Sequence, residues 1–75
     1  MTIEIKTDFI KLDSLLKLSG VTMSGGEAKE AIQAGEVLVD GEVCTMRGRK
    51  IRPGMTVTAG GVTMTVTISS RGERP

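Results

Sequence analysis

Seventy-five residues allow one domain with a single small core, 39% of them hydrophobic. With no His and one Cys, Cys44, the chain cannot build a His/Cys zinc site or an internal disulfide, and with no Trp, no Tyr and only Phe9 it cannot offer a platform of stacked bases. The formal charge of +1 hides an asymmetry, because residues 1–45 hold four Lys against eight acidic residues (net −4) while residues 46–75 hold five Arg and one Lys against one Glu (net +5).

The N-terminal "MTIEIKTDF" alternates polar and apolar residues and lacks the basic and apolar regions of a signal peptide. No apolar run approaches the ~18 residues that span a membrane. Together with the lone cysteine, this sets a reducing cytoplasm as the expected compartment. "TIEIKTDFI" reads as one first strand, with Ile3 and Ile5 alternating against Glu4 and Lys6.

"LDSLLKLSG" then places Leu12, Leu15 and Leu16 at the i, i+3, i+4 spacing of an amphipathic helix of about two turns, stopped by Gly20. "SGGEAKEAIQAG" predicts a second helix. Ser24 and Glu27 have capping-box spacing, with the Glu27 carboxylate expected to reach back to the Ser24 amide. Ala28, Ala31 and Ile32 form its apolar stripe, and Gly35 its stop.

"EVLVDGEVCT" predicts a hairpin turning at Asp40-Gly41. A two-residue loop puts Val39 opposite Glu42; a three-residue loop puts Val39 opposite Val43, buries more apolar surface and is preferred. Pro53-Gly54 makes a turn into a strand, and Gly60-Gly61 a second hairpin. In "VTMTVTI", Val62, Met64, Val66 and Ile68 share one face and three Thr the other. The domain is expected over 1–68, with 69–75 as a disordered tail. The fold class is α+β: two short helices packed on a small, mainly antiparallel sheet.

Two segments carry candidate chemistry. "CTMRGRKIRPG" gathers Arg47, Arg49, Lys50 and Arg52 within six positions without an acidic residue. A charge run is commonly a solvated loop, but three of these four are Arg, whose planar fork suits phosphate, and Gly48 lets the backbone turn among them. At the start of the second helix, Gly25 and Gly26 leave the first-turn amides unshielded, and the helix dipole there favours an anion. Lys29 follows one turn on, flanked by Glu27 and Glu30. An ordinary helix cap explains the same residues.

No catalytic set can be assembled. Cys44 has no His to act as its base and reads as a small core residue. Ser24 lacks a partner, and Asp8, Asp13 and Asp40 are scattered over different elements. Neither a cofactor nor a metal is expected.

The order of parts resembles the RNA-binding domain of the ribosomal-protein-S-four family. The resemblance rests on "SGGEAKEAIQAGEVLVDGEV", a basic loop and "IRPGMTV", and runs from about Leu12 to Val57. The loop "RGRKIRPG" and the chain length are similar to the family's small stand-alone bacterial members, the YbcJ-like proteins. The resemblance implies an alpha-L RNA-binding motif that binds structured RNA, ribosomal or transfer RNA, without catalysis. It implies Ser24, Gly25, Gly26, Lys29, Arg47, Arg49, Lys50 and Arg52 as the contact surface. Many members carry Arg directly after the helix-opening residue; this chain has Gly25, which shifts the contact toward the loop. A second reading is a protein-interaction adaptor in ribosome assembly, meeting a basic ribosome-associated protein through the acidic first half. Neither reading involves a membrane or a small-molecule substrate.

Overall fold

A computed structural model describes residues 1–69. In chain order it has β1 (Thr2–Ile5), β2 (Ile10–Lys11), α1 (Leu12–Ser19), α2 (Gly25–Gln33), β3 (Leu38–Val39), β4 (Glu42–Val43), β5 (Lys50–Ile51), β6 (Thr56–Ala59) and β7 (Val62–Ile68). Five strands form one sheet in the order β1-β7-β6-β3-β4, and β2 and β5 form a separate ribbon. The large sheet is antiparallel except where β1 runs parallel to β7.

Both helices end as their sequences predict. Leu12, Leu15 and Leu16 are fully buried on α1, and Gly20 stops it in the left-handed region. Ala28 and Ile32 are buried on α2. Gly35, at φ 78°, donates to the Ile32 carbonyl, and Glu36 donates to that of Ala31. This is a Schellman stop, in which a residue without Cβ takes the left-handed turn. The apolar stripes meet Val57, Ala59, Met64 and Val66 from the sheet's inner face in one core.

At the start of α2, Ser24 Oγ accepts from the Glu27 amide at 3.2 Å. The Glu27 carboxylate, however, accepts from the Met23 amide at 2.7 Å rather than from Ser24. The expected box is thus displaced by one residue, and it fixes the chain before the helix as well as its first turn.

Three other sequence expectations change. The expected first strand is two: after β1 the chain turns, and β2 pairs with β5 as Ile10↔Ile51 and Lys11↔Lys50. The first hairpin takes the two-residue loop, with Val39 opposite Glu42 and Leu38 opposite Val43. Asp40 and Gly41 both have positive φ, 51° and 86°, as a type I′ turn requires, and this turn twists with its strands. The Asp40 carboxylate also accepts from the Thr56 amide at 2.9 Å, tying the turn to β6. That register leaves Val43 exposed, so turn geometry outweighs the burial of one valine. Finally, Ser69 donates to the Ile5 carbonyl at 2.7 Å and so extends the sheet's pairing. The rest of the expected tail, 70–75, lies outside the described residues.

Because Ser24 Oγ satisfies an otherwise unpaired amide, Ser24→Ala should cost about 1 kcal/mol. Denaturant melts of the two proteins measure this. Equal midpoints and slopes would show that the cap contributes nothing.

Candidate nucleic-acid interface

Lys11 stands at the N-cap of α1, and its side chain supplies no cap. The first amides of the helix find acceptors in the basic loop instead: Leu12 donates to the Arg49 carbonyl at 2.9 Å, and Asp13 to the Arg47 carbonyl at 3.2 Å. The loop is held at both ends. Arg49 donates to the Met46 carbonyl, closing a turn over Gly48, and Met55 donates to that of Arg52 across Pro53-Gly54. Ile51, between them, is fully buried. A loop fixed in this way projects its side chains from defined positions.

Those side chains are not equivalent. Arg47 Nε lies 3.4 Å from Asp13 Oδ2, so its charge is partly answered within the protein. Arg49, Lys50 and Arg52 are exposed and have no carboxylate partner among the described residues. Lys50 and Arg52 flank Phe9 instead, at 4.9 and 6.0 Å from its ring centre. Arg49 borders a cavity of about 260 Å³ whose other wall includes Asp40 and Glu42 of the hairpin. The acidic hairpin therefore bounds the basic surface on that side.

The other expected half lies at the start of α2. Ser24, Gly26 and Lys29 are exposed and Gly25 is half-buried. The Gly25 and Gly26 amides have no protein acceptor among the described residues. The Glu27 carboxylate is drawn back toward Met23, which places negative charge beside these amides. The Lys17 side chain passes close by: its Cδ is 4.0 Å from where a Cβ on Gly25 would sit. The stem of Lys17 thus lies against the glycine step.

The expected residues therefore form two groups. The loop group caps the first turn of α1, and the α2 group adjoins its last turn. Eight helical residues put about 12 Å between them at 1.5 Å per residue. The groups lie toward opposite ends of α1. Sequence reasoning missed Lys17, Lys11 and Phe9. A basic residue in the last turn before a Gly-rich helix start is a readable signal for Lys17. No comparable signal marks the other two, which depend on the pairing of β2 with β5.

Comparisons with known proteins bear on the fold and the family. The family model described as "S4 domain" matches residues 3–67. The chain is 46% identical over 56 residues to the "Putative RNA-binding protein YbcJ" of Escherichia coli (strain K12), covering 75% of this chain and 80% of that one. It is 46% identical over 55 residues to the "Probable ribosome maturation protein RlbA" of Bacillus subtilis (strain 168), covering 73% and 78%. The solution structure of YbcJ from E. coli, said to reveal an alpha-L motif involved in RNA binding, matches with a TM-score of 0.69 and 42% identity, over 88% of this chain and 85% of that one. By the family match over residues 3–67 and 46% identity to YbcJ over 75% of this chain, the chain belongs to the S4 domain family.

Proposed function

We propose that this protein binds structured RNA, ribosomal RNA in the first place, and performs no chemistry on it. The observation that carries the reading is the basic loop. Arg49, Lys50 and Arg52 stand exposed and without carboxylate partners among the described residues, on a backbone anchored to the first turn of α1. Anchored cations lose little freedom when they meet phosphate, so more of the attraction survives as affinity. The α2 start contributes two open amides, with Lys17 and Lys29 beside them. A folded RNA presents phosphates along a ridge, and two cationic groups about 12 Å apart suit such a ridge better than a single phosphate. The one aromatic ring is already flanked by two cations, which favours reading of backbone and shape over splayed bases. A relative named for ribosome maturation supports ribosomal over transfer RNA.

Counterion release tests this. About four phosphate contacts give a log–log salt slope near −3 to −4. Arg49→Ala should weaken binding to total ribosomal RNA and make the slope shallower by roughly 0.7 to 0.9. Lys6→Ala removes one positive charge from an exposed residue not assigned to the surface and should change little. If both variants behave alike, attraction is diffuse and the surface is wrongly placed. Weak RNA binding insensitive to either change, with retention of a basic ribosome-associated protein, is the outcome expected of an adaptor.

The Arg47–Asp13 pair yields a second test. Asp13→Asn keeps an oxygen for the Ser14 amide but removes the charge facing Arg47. Stability should fall by about 1 kcal/mol, the upper end for surface pairs, because the Asp13 side chain is half-buried. RNA affinity at low salt should rise, because Arg47 becomes free for phosphate. Unchanged affinity in filter-binding titrations would place Arg47 outside the contact.

A further inference from the structure

Strand alternation in the β2–β5 ribbon sorts its residues onto two faces. Ile10 and Ile51 are directly paired; Ile51 is fully buried and Ile10 packs against the same core. Lys11 and Lys50, one step along, are also paired and must point the other way. Continuing the register by one residue in the opposite direction brings Phe9 opposite Arg52. The distances agree, since the Arg52 guanidinium carbon is 6.0 Å and Lys50 Nζ 4.9 Å from the Phe9 ring centre. The outer face of the ribbon thus carries Lys11 and the chain's only aromatic ring, with Lys50 and Arg52 beside that ring.

Paired lysines on one face repel each other, and three cations on a two-stranded ribbon need something to hold them. The ring supplies it for Lys50 and Arg52. The negative face of an aromatic ring attracts Lys and Arg within about 6 Å, and it does so without a counter-charge that would repel phosphate. A carboxylate would hold the same side chains and cancel their charge, as Asp13 partly does for Arg47. Phe9 is itself held, because the Thr7 hydroxyl donates to its carbonyl at 2.7 Å and the ring is half-buried.

We propose that this face is a preset phosphate-binding cluster in which Lys11 makes a further contact and Phe9 is the positioning residue for Lys50 and Arg52. The proposal rests on the RNA-binding reading above. It adds two residues that the loop and the α2 start do not include. It also assigns the ring to organising cations, not to stacking a base.

The test compares Phe9→Leu, Phe9→Tyr, Lys11→Ala and Arg49→Ala in binding to total ribosomal RNA and, separately, to unfractionated transfer RNA. Phe9→Leu keeps apolar bulk but loses the ring. It should weaken binding about three- to fivefold, the range set by a cation–π contact of ordinary strength. In the free protein it should abolish the upfield ring-current shifts of the Lys50 and Arg52 side-chain protons. Phe9→Tyr should restore both. Lys11→Ala should make the salt slope shallower by roughly 0.7 to 0.9 with an unchanged melting midpoint. Wild-type binding by Phe9→Leu, or equal weakening by the Leu and Tyr variants, would overturn the positioning role. Should Phe9→Leu not fold, the ring-current shifts of the wild type decide, since their absence removes the contact on which the role depends. An unchanged slope for Lys11→Ala would remove Lys11 from the surface. If Arg49→Ala weakens binding while Lys11→Ala and Phe9→Leu do not, only this proposal fails; if Arg49→Ala also has no effect, the RNA-binding reading fails with it.

Discussion

The missing side-chain cap on α1 governs much of this structure. A helix starts with amides that have no partner in their own helix, and leaving them buried and unpaired is costly. Lys11 cannot accept a hydrogen bond, so the Arg47 and Arg49 carbonyls do so. Residues separated by more than thirty positions are thereby joined at one point. The β2–β5 pairing follows, since the same stretch that caps the helix runs on beside Ile10 and Lys11. The position of every basic side chain in the loop descends from this junction.

This arrangement also accounts for the strongly uneven distribution of charge in a nearly neutral chain. The loop's cations have distinct surroundings: Asp13 pairs with Arg47, the Phe9 ring lies beside both Lys50 and Arg52, and Arg49 borders a cavity lined in part by Asp40 and Glu42. Concentrating positive charge costs stability through self-repulsion, and these neighbours offset part of it. The hairpin carries Asp40 and Glu42 and α2 carries Glu27 and Glu30, so negative charge stands on the elements next in the chain. Such an uneven distribution orients a polyanion as well as attracting it.

Much of the fold was legible in the residues themselves. Leucine spacing located α1, the Ser24 and Gly35 signals bracketed α2, and alternation marked β7, because each depends only on neighbours in sequence. The hairpin register was not legible: apolar burial favoured Val39 opposite Val43, and the positive-φ geometry of Asp40-Gly41 prevailed. The division of the first strand was also hidden, since Ile10 and Lys11 become a strand only through Ile51 and Lys50. The same limit applies to the site. Its charged residues stood out as a run, whereas Phe9 and Lys11 gained meaning only from a long-range pairing, and the roughly one-helix separation of the two groups came from α1 itself.

Strand β7 is seven residues of Val, Thr, Met and Ile without a charge, a composition prone to self-association when its edge is bare. In the folded chain β6 covers one edge and β1 the other, and β1 brings Glu4 alongside Thr67. Residues 2–5 are made first and their partners 65–68 more than sixty residues later. During synthesis, then, this shielding strand must wait for the segment it protects. The β6–β7 hairpin can close locally, but its outer edge stays open until the two distant segments meet. That interval is the protein's exposure to misassembly, and its length is set by a slow, non-local closure rather than by the strength of the finished core.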